Sequence, residues 1–177
     1  MSTFEELKEE RKVQIADLVP KSHQVLRTKC EKFNVLDPQM DPAELAWILA
    51  DTMKHYRGLG LAAPQIGYPY RVFAINTDPV FVAFNPVIVS TGVEQVELEE
   101  GCLTFPNLYL RIKRPRNIKI RFAKPNGSID TYNWSDMTAR VAQHECDHLD
   151  GVLFTKHVSR LALEMAEKKA RKLKRGD

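Results

Sequence analysis

The sequence predicts an α+β fold built on a largely antiparallel sheet. Helical patterns at residues 41–58, 135–151 and 159–177 stand before and after a block of strand-like segments. Within that block, Ile118, Ile120 and Phe122 alternate with polar residues up to an Asn-Gly pair, which is typical of a β-hairpin. Helices that flank a block of strands, and do not alternate with them one by one, argue against βαβ units and a dinucleotide-binding fold.

Length and composition predict one domain spanning residues 1–177. A chain of 177 residues is long enough to bury a sizeable core, and its 44% hydrophobic and 28% charged residues are close to the averages of globular proteins. The net charge of only +3 argues against a nucleic-acid-binding surface over the whole molecule, and no specific DNA partner is expected.

The cysteines and the N-terminal segment indicate a reducing compartment. Three cysteines are too few, and odd in number, for a disulfide framework in a chain of this size. The first residues, MSTFEELKEERK, are acid-rich and lack the apolar region of a secretory signal. No apolar run approaches the roughly 18 residues that a transmembrane helix needs. We therefore expect a cytoplasmic protein with no membrane partner.

The first half of the chain divides into a polar start, a helix and two strands. Residues 2–12 predict a short polar helix or a loose arm, and residues 13–20, VQIADLVP, a brief strand closed by a proline. Between Asp41, a candidate N-cap, and Gly58, a helix breaker, residues 41–58 carry apolar residues at helical spacing. Residues 71–77 and 81–91 are rich in β-branched and aromatic residues, which predicts strands.

The helix predicted for residues 135–151 contains a possible metal site. It has Ser135 or Asp136 as a candidate cap and ends at Gly151. His144, Glu145 and His148 spell H-E-x-x-H, so the two imidazoles lie one turn apart on one face with the carboxylate beside them. Met137 and Val141 continue the same face, which predicts that the histidines point into the protein.

Cys102 is the preferred third ligand. A downstream histidine of the metzincin type is missing, because that position holds Phe154, and Glu164 or Glu167 is better explained by ion pairs within the last helix. Cys102 follows a glycine after the strand-like segment EQVELE; on its own it would more often be a buried apolar residue. Together with two inward-facing histidines it completes a three-ligand set with one position open.

A glycine-rich stretch at residues 58–67, GLGLAAPQIG, offers an oxyanion partner. It matches the dinucleotide pattern only superficially, because a helix precedes it and a strand follows, so a helix end and turn is the plainer interpretation. Gln65 is placed by this rigid turn, and its carboxamide can donate a hydrogen bond to an oxyanion.

Three segments, GLGLAAPQ (58–65), EGCLT (100–104) and QHECDHLDG (143–151), together closely resemble the signature motifs of peptide deformylases. VLRTKCEKF (25–33) resembles the family's N-terminal segment, so the resemblance covers most of residues 13–160. It implies a peptide-deformylase-like fold with the H-E-x-x-H helix at its centre and a C-terminal helix. It further implies a metallohydrolase that removes the formyl group from the N-terminal formylmethionine of newly made polypeptides and releases formate.

Carried over by position, the resemblance assigns roles to individual residues. Cys102, His144 and His148 are implied as metal ligands, and Glu145 as the general acid and base. Gln65 and the backbone N–H of Leu103 are implied as oxyanion partners. The residues implied to line the methionine pocket or bind the peptide backbone are Leu59, Gly60, Gly101 and Val141. Thr104 departs from the serine common in the family, and residues 1–12 extend beyond its usual start.

The resemblance also implies a cofactor and partners. One divalent metal ion is expected, Fe²⁺ in the cell, with Zn²⁺, Ni²⁺ or Co²⁺ as possible substitutes. N-formylmethionyl peptides are the expected substrates, and the basic helix at 158–177 is a candidate ribosome contact. A solvated helix end explains that basic run equally well, since cations suit a helix C-terminus.

Several alternatives stay open on the sequence alone. An H-E-x-x-H metallopeptidase is the rival enzyme, and a binding module that works through the basic tail is the non-enzymatic alternative. Gln143 and Asp147 are either hydrogen-bond supports of the site or ordinary polar helix positions. Surface or capping roles are expected for the remaining histidines, and Cys30 and Cys146 are expected to be inert.

Overall fold

The computed structural model describes residues 11–175, so most of the polar segment predicted for residues 2–12 lies outside the described residues. The helices are α1 (Pro42–His55), α2 (Asp136–Leu149) and α3 (Arg160–Arg175). The strands are β1 (Gly60–Ala62), β2 (Val72–Ile75), β3 (Phe81–Thr91), β4 (Gln95–Cys102), β5 (Phe105–Pro115), β6 (Asn117–Ala123) and β7 (Ile129–Ser135). None of the described helices has the length and apolarity needed to cross a bilayer.

The strands form two antiparallel sheets, which confirms the predicted fold class. The larger sheet has the order β1-β2-β3-β6-β7, and β4 and β5 form a separate hairpin. The predicted hairpin of β6 and β7 is confirmed, with Asn117 opposite Ser135 and Ala123 opposite Ile129. Its turn places Gly127 at φ +84°, a backbone conformation that glycine adopts at little cost.

The core has three parts, and together they hold the central helix in place. One packs α2 against β2, β3, β6 and β7, and a second packs α1 against β1, β2 and β3. The third lies between the β4–β5 hairpin and α3, where Leu163 and Ala166 cover Leu110, Ile112 and Phe154. Helix α2 therefore lies between the large sheet and the hairpin, and carries buried side chains towards both.

Helix α1 begins as predicted and ends differently. The Asp41 side chain accepts a hydrogen bond from the N–H of Ala43 at 2.8 Å, which confirms the cap. At the other end, the N–H of Gly58 donates to the carbonyl of Met53 at 2.8 Å. The residue in the left-handed conformation is Arg57, at φ 55°, and not the glycine that the sequence suggested as the stop.

The strand predicted for residues 13–20 is wrong. This segment belongs to no sheet, because its amide groups bond to side chains and loops elsewhere. The N–H of Ala16 donates to the Thr52 hydroxyl at 3.0 Å, and that of Val19 to the Gln65 carbonyl at 2.9 Å. Strands β1 and β5 were not predicted, although Leu108, Leu110 and Ile112 alternate along β5 as inward-facing residues do.

The predicted start of α2 at Ser135 and its end are both confirmed, although the Ser135 side chain does not cap the helix. Ser135 is at the N-cap position, but its side chain makes no capping hydrogen bond. The Asp136 carboxylate instead accepts from Nε of Arg116 at 2.7 Å. After the helix, Gly151 adopts φ +71°, and a Cβ there would overlap the backbone of Arg27. The left-handed backbone and the lack of space for a side chain together explain why a glycine follows the end of the helix.

Candidate active site

Helix α2 and the end of β4 bring the three predicted ligands together. The side chains of His144 and His148 are buried, with 8% and 1% of their residue surfaces exposed. Cys102 is half-buried at the end of β4, and its Sγ lies 3.3 Å from Nε2 of His148. One ligand atom from each of the three residues lies within 4.8 Å of the others. The inward orientation predicted from helical spacing is therefore confirmed for both histidines.

Glu145 lies beside this cluster in a position that excludes solvent. It is buried, and burial raises the pKa of its carboxyl to about 7. Its Oε2 has no hydrogen-bond partner in the described part of the chain. The other oxygen lies so close to Gly60 that a Cβ on that residue would overlap it, so the glycine is needed for the close approach of β1.

A buried charge network supports His144, and the sequence reasoning missed it. Oε2 of Glu100 lies 3.1 Å from Nδ1 of His144, and its two oxygens accept from Arg114 at 2.7 and 3.0 Å. Arg140 donates to the same carboxylate at 2.6 Å. Burial raises the pKa of Glu100, but the hydrogen bonds from His144 and Arg114 outweigh it and lower the pKa to about 2. The sequence signal for this network was Arg114, a charged residue at the fourth inward-facing position of β5.

The two histidines have opposite electrostatic surroundings in the metal-free chain. Burial lowers the pKa of His144, but the hydrogen bonds that the protonated ring donates to Cys102 and Glu100 raise it to about 10 overall. For His148, burial lowers the pKa well below its usual value, and the charge on His144 adds to this. A bound cation would occupy the place of the proton between His144 and Cys102.

Gln65 is fixed with its amide group facing the cluster. Its Oε1 accepts a hydrogen bond from the N–H of Ala62 at 2.8 Å, which determines the orientation of the carboxamide. Its Nε2 donates to the Thr104 hydroxyl at 3.2 Å and faces Sγ of Cys102 at 3.5 Å. The hydroxyl of Thr104, the residue that departs from the family pattern, thus helps to orient the donor.

The predicted pocket residues line one cleft of about 550 Å³ that opens beside the cluster. These residues are Leu59, Gly60, Gly101 and Val141, and the predicted oxyanion partners, ligands and acid/base that line the same cleft are Gln65, Leu103, Cys102, His144 and Glu145. Met137 was predicted to continue the inward face of α2, but it is 51% exposed at the cleft. It lies in the first turn of the helix, where the core no longer covers the side chains.

The rejected ligands have other partners. Phe154 is buried with its ring centroid 5.6 Å from that of His144, so the position of a metzincin histidine is filled by packing. Glu164 accepts from Arg160 at 2.8 Å on the exposed side of α3, as an i, i+4 pair.

The two polar residues of α2 whose role the sequence left undecided both have hydrogen-bond partners. Gln143 donates to the carbonyls of Pro115 and Ala139, at 3.0 and 2.9 Å. Asp147 extends the buried charge network, since one of its oxygens lies 2.9 Å from Nη1 of Arg114 and 2.7 Å from Nε2 of His157. Asp147 is therefore a support of the site and not an ordinary surface position.

The remaining candidates are His23, Cys30 and Cys146, and each has a structural place in the fold. His23 caps the short helix at Gln24–Arg27 by accepting from the N–H of Val25, as expected of a capping residue. Cys30 and Cys146 are buried free thiols, and burial raises their pKa values to about 11 and about 12. Thiols that stay protonated are poor nucleophiles, which agrees with the prediction that they are inert.

The chemistry and spacing of the cluster fit a single divalent metal ion. Ligands on one tetrahedral ion lie about 3.5 Å apart, given bond lengths of about 2.0–2.3 Å, and the 3.3 Å between Cys102 and His148 is close to this. Glu145 lines the same cleft as Cys102 and His144, and its buried Oε2 has no hydrogen-bond partner among the described residues. A thiolate with two imidazoles is a donor set for Zn²⁺ or Fe²⁺.

Comparison with known proteins decides the family. The sequence model described as polypeptide deformylase matches residues 15–164. A peptide deformylase of Wolbachia pipientis is 38% identical over 146 residues, which are 75% of this chain and 82% of that protein. The chain belongs to the polypeptide deformylase family. Members of this family are metal-dependent hydrolases that remove the N-formyl group from nascent peptides, and this is the function of the chain. The metallopeptidase alternative is not supported.

Solved structures agree with this assignment. The peptide deformylase of Legionella pneumophila superposes with a TM-score of 0.82 at 32% identity, covering 91% of this chain and 96% of that chain. That of Synechococcus elongatus in complex with actinonin superposes with a TM-score of 0.81 at 32% identity, covering 87% and 86%. The similarity confirms the deformylase fold.

Proposed function

We propose that Cys102, His144 and His148 hold the divalent metal ion of this deformylase and that Glu145 moves the protons. The observation that carries the proposal is the convergence of the three ligand atoms within 4.8 Å of one another, beside a buried carboxylate and at the base of a cleft. When bound, the metal would lower the pKa of a water molecule and polarise the formyl oxygen.

Glu145 is suited to act first as a base and then as an acid. Its pKa of about 7 lies near the pH at which such a group must both accept and release a proton. Its free Oε2 would accept a proton from the attacking water and then deliver it to the leaving amine. The amine and formate are the two products, so the carboxylate ends the cycle in its starting state.

Gln65 and Leu103 would stabilise the negative charge that develops on the formyl oxygen. The carboxamide of Gln65 is held by Ala62 and Thr104 before any substrate binds, so little reorganisation is needed. The backbone N–H of Leu103 follows the ligand Cys102 directly and would be the second donor. One such donor is typically worth about 3 kcal/mol in the transition state.

The cleft would take the methionine side chain and the peptide backbone. Leu59, Gly60, Gly101 and Val141 line it close to the cluster, and both glycines lie where a Cβ would overlap a neighbouring side chain. Apolar walls beside the metal suit an unbranched thioether, with the formyl group reaching the ligands. The actinonin complex of the Synechococcus relative supports binding of ligands in this family.

Fe²⁺ is the metal that we propose for the cell, with Zn²⁺, Ni²⁺ or Co²⁺ as substitutes. The donor set accepts any of these ions, and affinity alone would favour zinc over iron. Two arguments support iron. The first is the resemblance to deformylases, and the second is that this reaction benefits from an ion that can add a ligand when the formyl oxygen binds. The protein would act in the cytoplasm, where its substrates are made.

The basic end of α3 would contact ribosomal RNA. Lys168, Lys169, Arg171 and Lys172 lie on this helix, and Asp177 of the same run is outside the described residues. Leu163 and Ala166 pack against the body of the protein, so the helix is held on the surface while Leu161 and Met165 stay exposed. Co-sedimentation with ribosomes should fall on deletion of residues 166–177 and on addition of salt, and binding unchanged by either would contradict the contact.

Formate release from a formyl-Met peptide tests the site directly. The metal-loaded protein should release formate, and a Cys102→Ser variant should bind less metal and lose activity in proportion. A Cys146→Ser variant is the matched control, because that buried thiol is not one of the three clustered ligand groups. Full activity of Cys102→Ser with normal metal content would contradict the proposed ligand set.

A further inference from the structure

Arg57 occupies a backbone position that usually belongs to glycine. The N–H of Arg57 donates to the carbonyl of Lys54 at 3.0 Å, and that of Gly58 to the carbonyl of Met53 at 2.8 Å. This is the Schellman pattern, in which the residue after the helix cap is left-handed. Arg57 takes that conformation at φ 55°, which costs energy for any residue with a side chain. Strain of this kind is often retained where it positions a functional group.

The side chain of Arg57 supplies an unpaired cation to the substrate cleft. Arg57 lines the cleft, is exposed, and has no hydrogen bond or ion pair from its guanidinium within residues 11–175. Arg140, the other cation that lines the cleft, donates to Glu100 and to the carbonyls of Val96 and Ile112, so it is not available. Arg57 is therefore the free positive group among the described lining residues.

The backbone from Arg57 to Gly60 lines the cleft and connects Arg57 to the neighbourhood of Glu145. A Cβ on Gly60 would overlap Glu145, whereas one on Gly58 would meet the side chain of Leu103. An extended chain advances about 3.3 Å per residue, so the backbone of Arg57 lies at most about 10 Å from that of Gly60. A peptide that binds in extended form with its first residue beside Gly60 would advance by the same step, so its second or third residue would come within reach of the Arg57 side chain.

We propose that Arg57 is a specificity-determining residue that favours substrates with an acidic side chain at the second or third position. A guanidinium has the donor geometry that a carboxylate accepts, and at the rim of a cleft the attraction is partly screened by solvent. Glu99 on β4 is exposed, lines the same cleft and has no ion pair among the described residues, so the cleft carries one free group of each sign. The inference rests on the proposed assignment of the site.

Steady-state kinetics on matched peptides test this role. The substrates are formyl-Met-Xaa-Ser and formyl-Met-Ala-Xaa amides, with Asp, Asn or Lys as Xaa, and amidation removes the terminal carboxylate. At low salt, the wild-type protein should show a kcat/KM for the better Asp peptide about 2-fold to 5-fold above that for its Asn counterpart, mainly through KM. Arg57→Gly should abolish this ratio, and Arg57→Glu should invert it in favour of Lys.

Stability measurements separate recognition from a structural role. Glycine suits the left-handed position, so Arg57→Gly should leave Tm unchanged or raise it by up to about 4 °C. Arg121→Gln, which removes an exposed cation outside the cleft, should keep the wild-type ratio. An unchanged Asp-to-Asn ratio in Arg57→Gly would overturn the proposal. Absence of formate from every peptide, in all the proteins, would instead contradict the assigned site.

Discussion

Nδ1 of His144 lies 3.1 Å from Oε2 of Glu100, and both groups are buried. Because this carboxylate holds the proton of Nδ1, the other ring nitrogen is left to face Cys102 and a metal ion. The same carboxylate pairs with both Arg114 and Arg140, and Asp147 supplies a second negative charge to Arg114. One glutamate thus orients a ligand and also makes the burial of two arginines possible.

Glu100→Gln should therefore damage both stability and metal binding. Removing the charge leaves Arg140 with carbonyl acceptors only and Arg114 with Asp147 as its one remaining anionic partner, and breaking a buried ion pair typically costs about 3–5 kcal/mol. The loss of the support to His144 should weaken metal affinity by about 10-fold to 100-fold. Denaturant unfolding and metal competition measure the two effects. Glu97→Gln on the same strand is the control, because its pair with Arg111 is exposed and worth at most about 1 kcal/mol. Equal behaviour of the two variants would contradict the role of the network.

Glu145→Gln should keep its metal and lose turnover. The amide is close in size to the carboxylate, but it cannot accept the proton of the attacking water, so kcat should fall by about 10²-fold to 10⁴-fold. Metal content by elemental analysis and formate release are the measurements. Glu164→Gln, which removes a carboxylate from the exposed side of α3, should have wild-type activity. Near-normal turnover of metal-loaded Glu145→Gln would remove this residue from the mechanism.

The identity of the metal should control activity and stability in air. We expect Fe²⁺, Co²⁺ or Ni²⁺ to support faster turnover than Zn²⁺, and the ferrous form alone to lose activity rapidly in aerated buffer. The physical reason is oxidation of the iron or of the Cys102 thiolate at the base of an open cleft. The test is anaerobic reconstitution of the apo-protein with each ion, followed by timed assays before and after exposure to air. Equal, air-stable rates for all four ions would be incompatible with this expectation.

The cleft should select methionine at the first position. Because one methylene in an apolar pocket is worth only about 1–3 kcal/mol, formyl-norleucine peptides should be good substrates. A charged first residue would lose its hydration against Val141 and Leu103, so formyl-Asp peptides should be poor. Comparison of kcat/KM for the three peptides measures this, and equal values for formyl-Met and formyl-Asp would rule out a methionine pocket.

Asp51 should contribute a pH-dependent part of the folding stability. Burial raises the pKa of Asp51, but hydrogen bonds from Arg11, at 2.6 and 2.7 Å, and from the N–H of Gln14 outweigh it and lower the pKa overall. Because folding lowers this pKa, the stabilisation from the Asp51 carboxylate is complete above about pH 3.9, which is the pKa of an aspartate in the unfolded chain. The stabilisation is lost as the pH falls through the lower pKa of Asp51 in the folded protein.

Asp51→Asn should accordingly cost about 1–3 kcal/mol at pH 7, as loss of charged hydrogen bonds does. The difference from wild type should shrink once the pH falls below about 3.9, which urea titrations over pH 2.5–7 would show. Asp130→Asn is the matched control, because the pair of Asp130 with Lys124 is more exposed. A difference that stays constant across this range would contradict the role of the ion pair.

The sequence by itself determined the elements whose signals are local. The 3.6-residue period put His144 and His148 on the inward face of α2, and alternation with an Asn-Gly turn predicted the β6–β7 hairpin. The lack of another suitable ligand, with an open coordination position as the chemical reason, selected Cys102 from a strand end that helical spacing could not connect to α2, and the family motifs agreed. These inferences needed only short-range geometry and residue chemistry.

Tertiary structure alone decided the features that depend on contacts distant in sequence. Glu100 and Arg114 meet because β4 and β5 pair, and Arg140 joins them because α2 packs on that hairpin. Residues 13–20 carry a strand-like pattern, yet no sheet edge pairs with them, and their amides bond to Thr52 and Gln65. Arg57 was hidden because a following glycine looked like the helix stop. Local periodicity reports which face of an element is apolar, whereas partners, charge networks and backbone strain are set by the elements packed against it.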